Sequence, residues 1–179
     1  MIALSLGLVT GIGYLVFEFN PCRGLPYPTV GGRSLAEHNH ATLQIYVDNN
    51  RILVPYGVGE GDGPCPQPLH NHSDNPDVIH VESPTLPNYT LVQYFNVWAH
   101  TPGLGAPSPV IFNQTQLFSF RVGNGNELRV YVNGQRSLDL QNLIIEQHMT
   151  IVIVYGNSVT TTWTTYQGYS SAAWPYPNI

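Results

Sequence analysis

The chain has 179 residues, enough for one domain, and 9% of them are charged, against roughly 25% in ordinary soluble proteins. Its six basic residues are all arginine and its net charge is -5, so no cationic surface is available to neutralise phosphates, which argues against nucleic-acid binding. Asn, Gln, Thr, Ser, Tyr, Gly and Pro take the place of charge, and the surface they predict is polar but nearly uncharged.

Residues 1–19 open the chain with an apolar run that carries no charge before Glu18. About 20 residues at 1.5 Å each cross a hydrocarbon core, so this run is at the short end of a membrane-spanning helix. No basic region precedes it and no small-x-small cleavage site follows it, which predicts a retained hydrophobic helix rather than a cleaved signal. Gly7 and Gly11 are spaced for close helix approach, so the partner is either lipid or a neighbouring helix.

Residues 20–34 are rich in Pro and Gly and predict an extended linker. Cys22 lies there and Cys65 lies in the domain; an even cysteine count in an exported chain predicts a disulfide between them. The sequons at Asn71, Asn88 and Asn113 are candidate glycosylation sites on an exported surface.

The β-rich domain is expected over residues 35–159. Thr42 to Val47, the turn Asp48-Asn49-Asn50 and Arg51 to Val54 predict a β-hairpin. Leu128 to Val132, Asn133-Gly134 and Gln135 to Leu140 repeat it, and each hairpin is followed by a further strand, Val78 to Val81 and Thr150 to Tyr155. Between the halves, Leu91, Tyr94, Phe95 and Trp98 have the i, i+3, i+4, i+7 spacing of a short amphipathic helix. The expected class is α+β and mainly β, β-grasp-like, with a β-sandwich as the competing architecture. Residues 160–179 read as a tail or an edge strand.

Five of the seven histidines fall in three places: His38 with His40, His70 with His72, and His80. Strand side chains alternate, so each His-x-His pair presents both rings on one face, and two pairs plus a third strand can converge on one ion. Neutral imidazoles suit copper or zinc as the cofactor. Glu82 and Asp74 are the candidate carboxylates to orient a ring through its free N–H. His100 and His148 lack partners in sequence and read as surface residues. The sequence has no nucleophile elbow, no His-Glu-x-x-His helix and no phosphate loop, so no catalytic residue is assigned.

At these residues the chain resembles a group of exported, membrane-anchored proteins of bacteria and archaea. The motifs are His38-Asn39-His40-Ala41, Cys65 before Leu69-His70-Asn71-His72, Ile79-His80-Val81-Glu82-Ser83, the Thr90 to Trp98 helix, and Val130-Tyr131-Val132-Asn133-Gly134. The resemblance covers about residues 36 to 156 and implies an extracytoplasmic domain that binds a metal. The expected function is a copper- or zinc-binding module at the extracytoplasmic face of the membrane or the cell surface, an accessory subunit of a larger complex. A structural subunit of an extracellular filament or surface layer, built from identical copies, is the alternative.

Overall fold

A computed structural model describes residues 22–101, 107–140 and 142–157, and the predicted apolar helix and the tail lie outside them. Ten strands and one α-helix follow one another: β1 Glu37–Val47, β2 Asn50–Ile52, β3 Leu69–His70, β4 Val78–Ser83, α1 Leu91–Ala99, β5 Phe112–Asn113, β6 Gln116–Leu117, β7 Phe120–Arg121, β8 Asn126–Val132, β9 Gln135–Ser137 and β10 Met149–Asn157. The protein is mainly β with one short helix, as the sequence predicts.

Both hairpins form, and their turns show why. Asp48 and Asn49 both have positive φ, as do Asn133 and Gly134. Asn, Asp and Gly reach that region most cheaply, and the resulting turn twists in the sense that the flanking strands need. β1 is the axis of a seven-stranded sheet ordered β3-β4-β1-β10-β8-β9, with β2 also on β1. β10 runs parallel to β1, pairing Ala41 with Met149 through Val47 with Tyr155. β4 covers the first half of the opposite edge of β1, Glu37 to Thr42, and β2 covers Ile45 to Val47. A single long strand therefore gathers hairpins from both halves of the chain.

The alternation along β1 sorts the two faces. Ala41, Leu43, Ile45 and Val47 enter the main core with Ile79, Val81, Leu128, Val130, Ile151 and Ile153. Against this face packs α1, through Leu91, Tyr94, Phe95, Val97 and Trp98, each fully buried side chain stabilising by about 1.5–3 kcal/mol. Thr90 caps the helix reciprocally with Gln93: its Oγ1 accepts from the Gln93 amide, and Gln93 Oε1 accepts from the Thr90 amide at 2.8 Å. Such a cap is worth about 1 kcal/mol.

A feature without a signal in the sequence is the three-stranded sheet β5-β6-β7, which closes over the helix. Phe112 stacks on Phe95 at 4.6 Å and Phe118 meets Trp98 at 5.5 Å. Two-residue strands are too short to show an alternation.

The Pro/Gly segment, expected as an extended linker, is bound to the domain from Cys22 onward. Cys22 and Cys65 form the predicted disulfide, closing a loop of 43 residues. Chain entropy values such a loop at about 4 kcal/mol. Tyr27 exchanges two hydrogen bonds with the Gln67 side chain, and the Val30 amide donates to the Pro66 carbonyl at 2.9 Å. Prolines supply an extended backbone, and the disulfide holds it where those groups can be satisfied.

Candidate metal centre

The face of β1 opposite the core carries the histidines. His40 pairs directly with His80 on β4, and His80 pairs directly with His70 on β3, so three imidazoles form a row across three strands. His38 pairs with Glu82 in the next row. Directly paired residues project to one side of a sheet, which is why strands far apart in sequence deliver rings to one place. His70, His40 and His80 are buried; His72 is partly buried and His38 is exposed.

Two groups of three nitrogens result, each with its atoms within 4.8 Å of one another: His38, His40 and His80, and His70, His72 and His80. Two rings of the second group have their tautomers fixed. The Nδ1 of His70 lies 2.7 Å from the Gln67 carbonyl oxygen, and the Nδ1 of His72 lies 2.7 Å from Asp62 Oδ1. Carbonyl and carboxylate oxygens only accept, so both Nδ1 atoms carry the hydrogen and both Nε2 atoms are bare. Yet the two Nε2 atoms face each other at 3.2 Å.

Two lone pairs at that separation repel unless a cation lies between them. Nitrogens bound at 2.0–2.1 Å to a tetrahedral ion stand about 3.3 Å apart, which is the spacing these rings already hold. A shared proton is the competitor, and the surroundings oppose it. Burial first, then neighbouring His70 and His40, push His80 down to about 3, and burial lowers His70 and His40 as well. Desolvation disfavours imidazolium and leaves neutral ligands. His40 Nδ1 and His80 Nδ1 are buried without a hydrogen-bond partner, a cost that coordination would remove.

No family model, curated protein or solved structure matches the chain. What the centre does rests on its own geometry.

The loop Gly57 to Gly63 builds the second group, although it was not among the residues expected at the site. It wraps over the His70-Asn71-His72 segment, with the Gln67 amide donating to the Gly59 carbonyl and the Asn71 amide to the Val58 carbonyl. At Gly59, φ is +66 and an added Cβ would lie 2.2 Å from the Leu69 carbonyl oxygen; at Gly61 it would lie 2.4 Å from that of Asn71. Only glycine permits this approach. Asp62 follows, and its second oxygen accepts from the Ser73 amide at 2.7 Å. The hydrogen bond from His72, then that from Ser73, holds the Asp62 carboxyl below its usual range. The alternation of glycines from Gly57 to Gly63 was the available signal.

The remaining predicted residues are placed as follows. Glu82 lies 3.2 Å from His38 Nε2. Asp74 is exposed, and the carboxylate on His72 is that of Asp62 instead. Asn71 is fully buried; its side chain accepts from the Val58 amide and donates to the carbonyls of Pro55 and Pro76, so it cannot carry a glycan. Asn88 is exposed, while Asn113 accepts from the Thr115 amide and hydroxyl. His100 ends the helix, its ring on the Asn96 carbonyl. His148 does approach the cluster, since its amide donates to the His40 carbonyl at 2.7 Å.

Because Asp62 orients His72, Asp62→Ala is expected to weaken zinc binding by about 10–100-fold with the fold retained. Competition against a chromophoric chelator measures this, and unchanged affinity would remove Asp62 from the site.

Proposed function

We propose that this chain is an extracytoplasmic metal-binding module that holds one copper or zinc ion on His70, His72 and His80. The observation that carries this reading is the pair of bare Nε2 atoms facing each other at 3.2 Å, each ring locked by an acceptor on its Nδ1. Histidine rings held in this way are the usual outer arrangement of zinc and copper sites. The scaffold reading that goes with it is a β-grasp-like unit, supported by the order β2-β1-β10-β8-β9 with the helix between the hairpins. β3 and β4 would then be an insertion that brings the histidines.

The disulfide supports an oxidising compartment. In this reading the uncharged residues 1–19 tether the module to a membrane or to a larger complex, as the resemblance to exported, membrane-anchored proteins implies. No helix among the described residues is long and apolar enough to cross a membrane.

The test is metal analysis of the purified full chain after exposure to Cu(II) or Zn(II) and desalting. About one equivalent is expected, lost in His70→Ala/His72→Ala and kept in His100→Ala, with circular dichroism confirming that each variant is folded. A folded wild-type chain that retains neither ion would refute the proposal.

A further inference from the structure

The two nitrogen groups share one residue, His80. We propose that they are alternative seats for a single ion, an inner one of His70, His72 and His80 and an outer one of His38, His40 and His80, and that the ion enters and leaves through the outer seat. This rests on the metal-binding reading above and adds a path and a stoichiometry to it.

Charge limits the centre to one ion. Among the described residues, Asp62 on His72 and Glu82 on His38 are the carboxylates that touch the rings. One divalent ion and two carboxylates sum to zero, whereas two ions would leave uncompensated positive charge among buried rings. A neutral His80 has one lone pair, so filling both seats together would also strip its ring proton.

The geometry ranks the seats. In the inner one, His70 is 1% exposed and the tautomers of His70 and His72 are fixed, so two of its three ligands are ready before the ion arrives. In the outer one, the His38 side chain is 50% exposed and its Nε2 is engaged with Glu82. His38 is the more exposed ring, 50% against 29% for His72, and Glu82 stands beside it, so the His38 edge is the proposed entrance; Asp62, 48% exposed, marks the other edge as the competing one. Between them, His80 is placed evenly: its ring centroid is 4.5 Å from that of His40 and 4.5 Å from that of His72, edge-on to both. Transfer is a ligand exchange at His80, in which bonds to His38 and His40 are replaced by bonds to His70 and His72. No electron moves and no net proton is released; where the two seats face different nitrogens of His80, its ring proton passes to the nitrogen that the ion leaves.

An entry seat changes rates and leaves the final equilibrium alone. His38→Ala in the full-length chain is expected to slow Zn(II) loading at least tenfold, followed by stopped flow with a fluorescent zinc indicator. Release to excess chelator is expected to slow by the same factor, with affinity within about twofold of wild type, as detailed balance requires when only the path is lost. His72→Ala should instead lose affinity at least 100-fold. Two bound equivalents in wild type would overturn the proposal, since both seats would then fill together. An affinity loss in His38→Ala matching that of His72→Ala would overturn it in favour of one five-ligand site, and unchanged rates would place the entrance elsewhere, on the His72 side. A wild-type chain that binds no zinc and no copper would refute the metal-binding reading itself, an outcome none of the variant results can produce.

Discussion

Gly59→Ala is expected to lower the unfolding free energy by about 3–4 kcal/mol. Two costs add. The residue has φ +66, where an L side chain costs about 1–2 kcal/mol, and the new Cβ would stand 2.2 Å from the Leu69 carbonyl oxygen and 2.9 Å from His70 Cβ. The loop cannot retreat freely, because the Gly59 amide donates to Thr101 Oγ1 and the Gly59 carbonyl accepts from Gln67. Relieving the clash means moving backbone on both sides, an overpacking cost of about 1–3 kcal/mol. Gly32→Ala is the control: its φ is +73 but no atom lies within 4 Å of an added Cβ, so only the conformational cost remains. Urea unfolding of both variants measures the difference, and equal destabilisation would show that the loop does not press on the His70 segment. Since that segment sets the His70 to His72 spacing, Gly59→Ala should also weaken metal binding.

The contrast between loop and strands shows which parts of the site a sequence can declare. His38 and His40 share a face because they lie two apart on β1, and the spacing alone states that. Their meeting with His80 and His70 needs the register of β1, β4 and β3, in which His40, His80 and His70 are directly opposed. No local pattern encodes that register. β3 is two residues long, and β1 extends back to Glu37, beyond the Thr42 start that its apolar alternation predicts, because its first residues are polar on both faces. Asp62 was hidden for a related reason: it lies in a glycine-rich loop, ten residues before its partner His72, and Asp74, two residues after it, looked better placed. Asn71 shows the converse. Its sequon is a surface motif, but the side chain between two ring-bearing neighbours points inward and ties three backbone segments together. The hairpins and the helix were legible because turn residues, caps and periodicity act within a few residues; the centre was legible only as an inventory of rings.

The metal-free domain is expected to lose about 2–3 kcal/mol of stability between pH 6.5 and pH 5. Burial keeps His40, His70 and His80 neutral in the fold, their pKa values lowered and that of His80 to about 3. In the unfolded chain the same residues titrate near 6.5, so below that pH the unfolded state binds protons that the folded state refuses. Their contribution is fully present above pH 6.5 and is lost as pH falls toward the folded values. A fully excluded histidine changes stability by about 1.4 kcal/mol per pH unit; water reaches His40 and His80 in part, which reduces the sum. Glu37 acts in the opposite sense, since burial raises its carboxyl and favours the fold when it is protonated, which offsets part of the loss. Thermal unfolding of the metal-free chain at a series of pH values tests the expectation, and a flat profile from pH 7 to pH 5 would show that the rings accept protons in place. Zinc should sharpen the profile, because the ion binds only the neutral rings and stabilises the fold by mass action at pH 7 while losing the competition with protons near pH 5. His80→Gln should flatten the metal-free curve and abolish the zinc effect, since one residue supplies both the most depressed imidazole and the nitrogen that the two groups share.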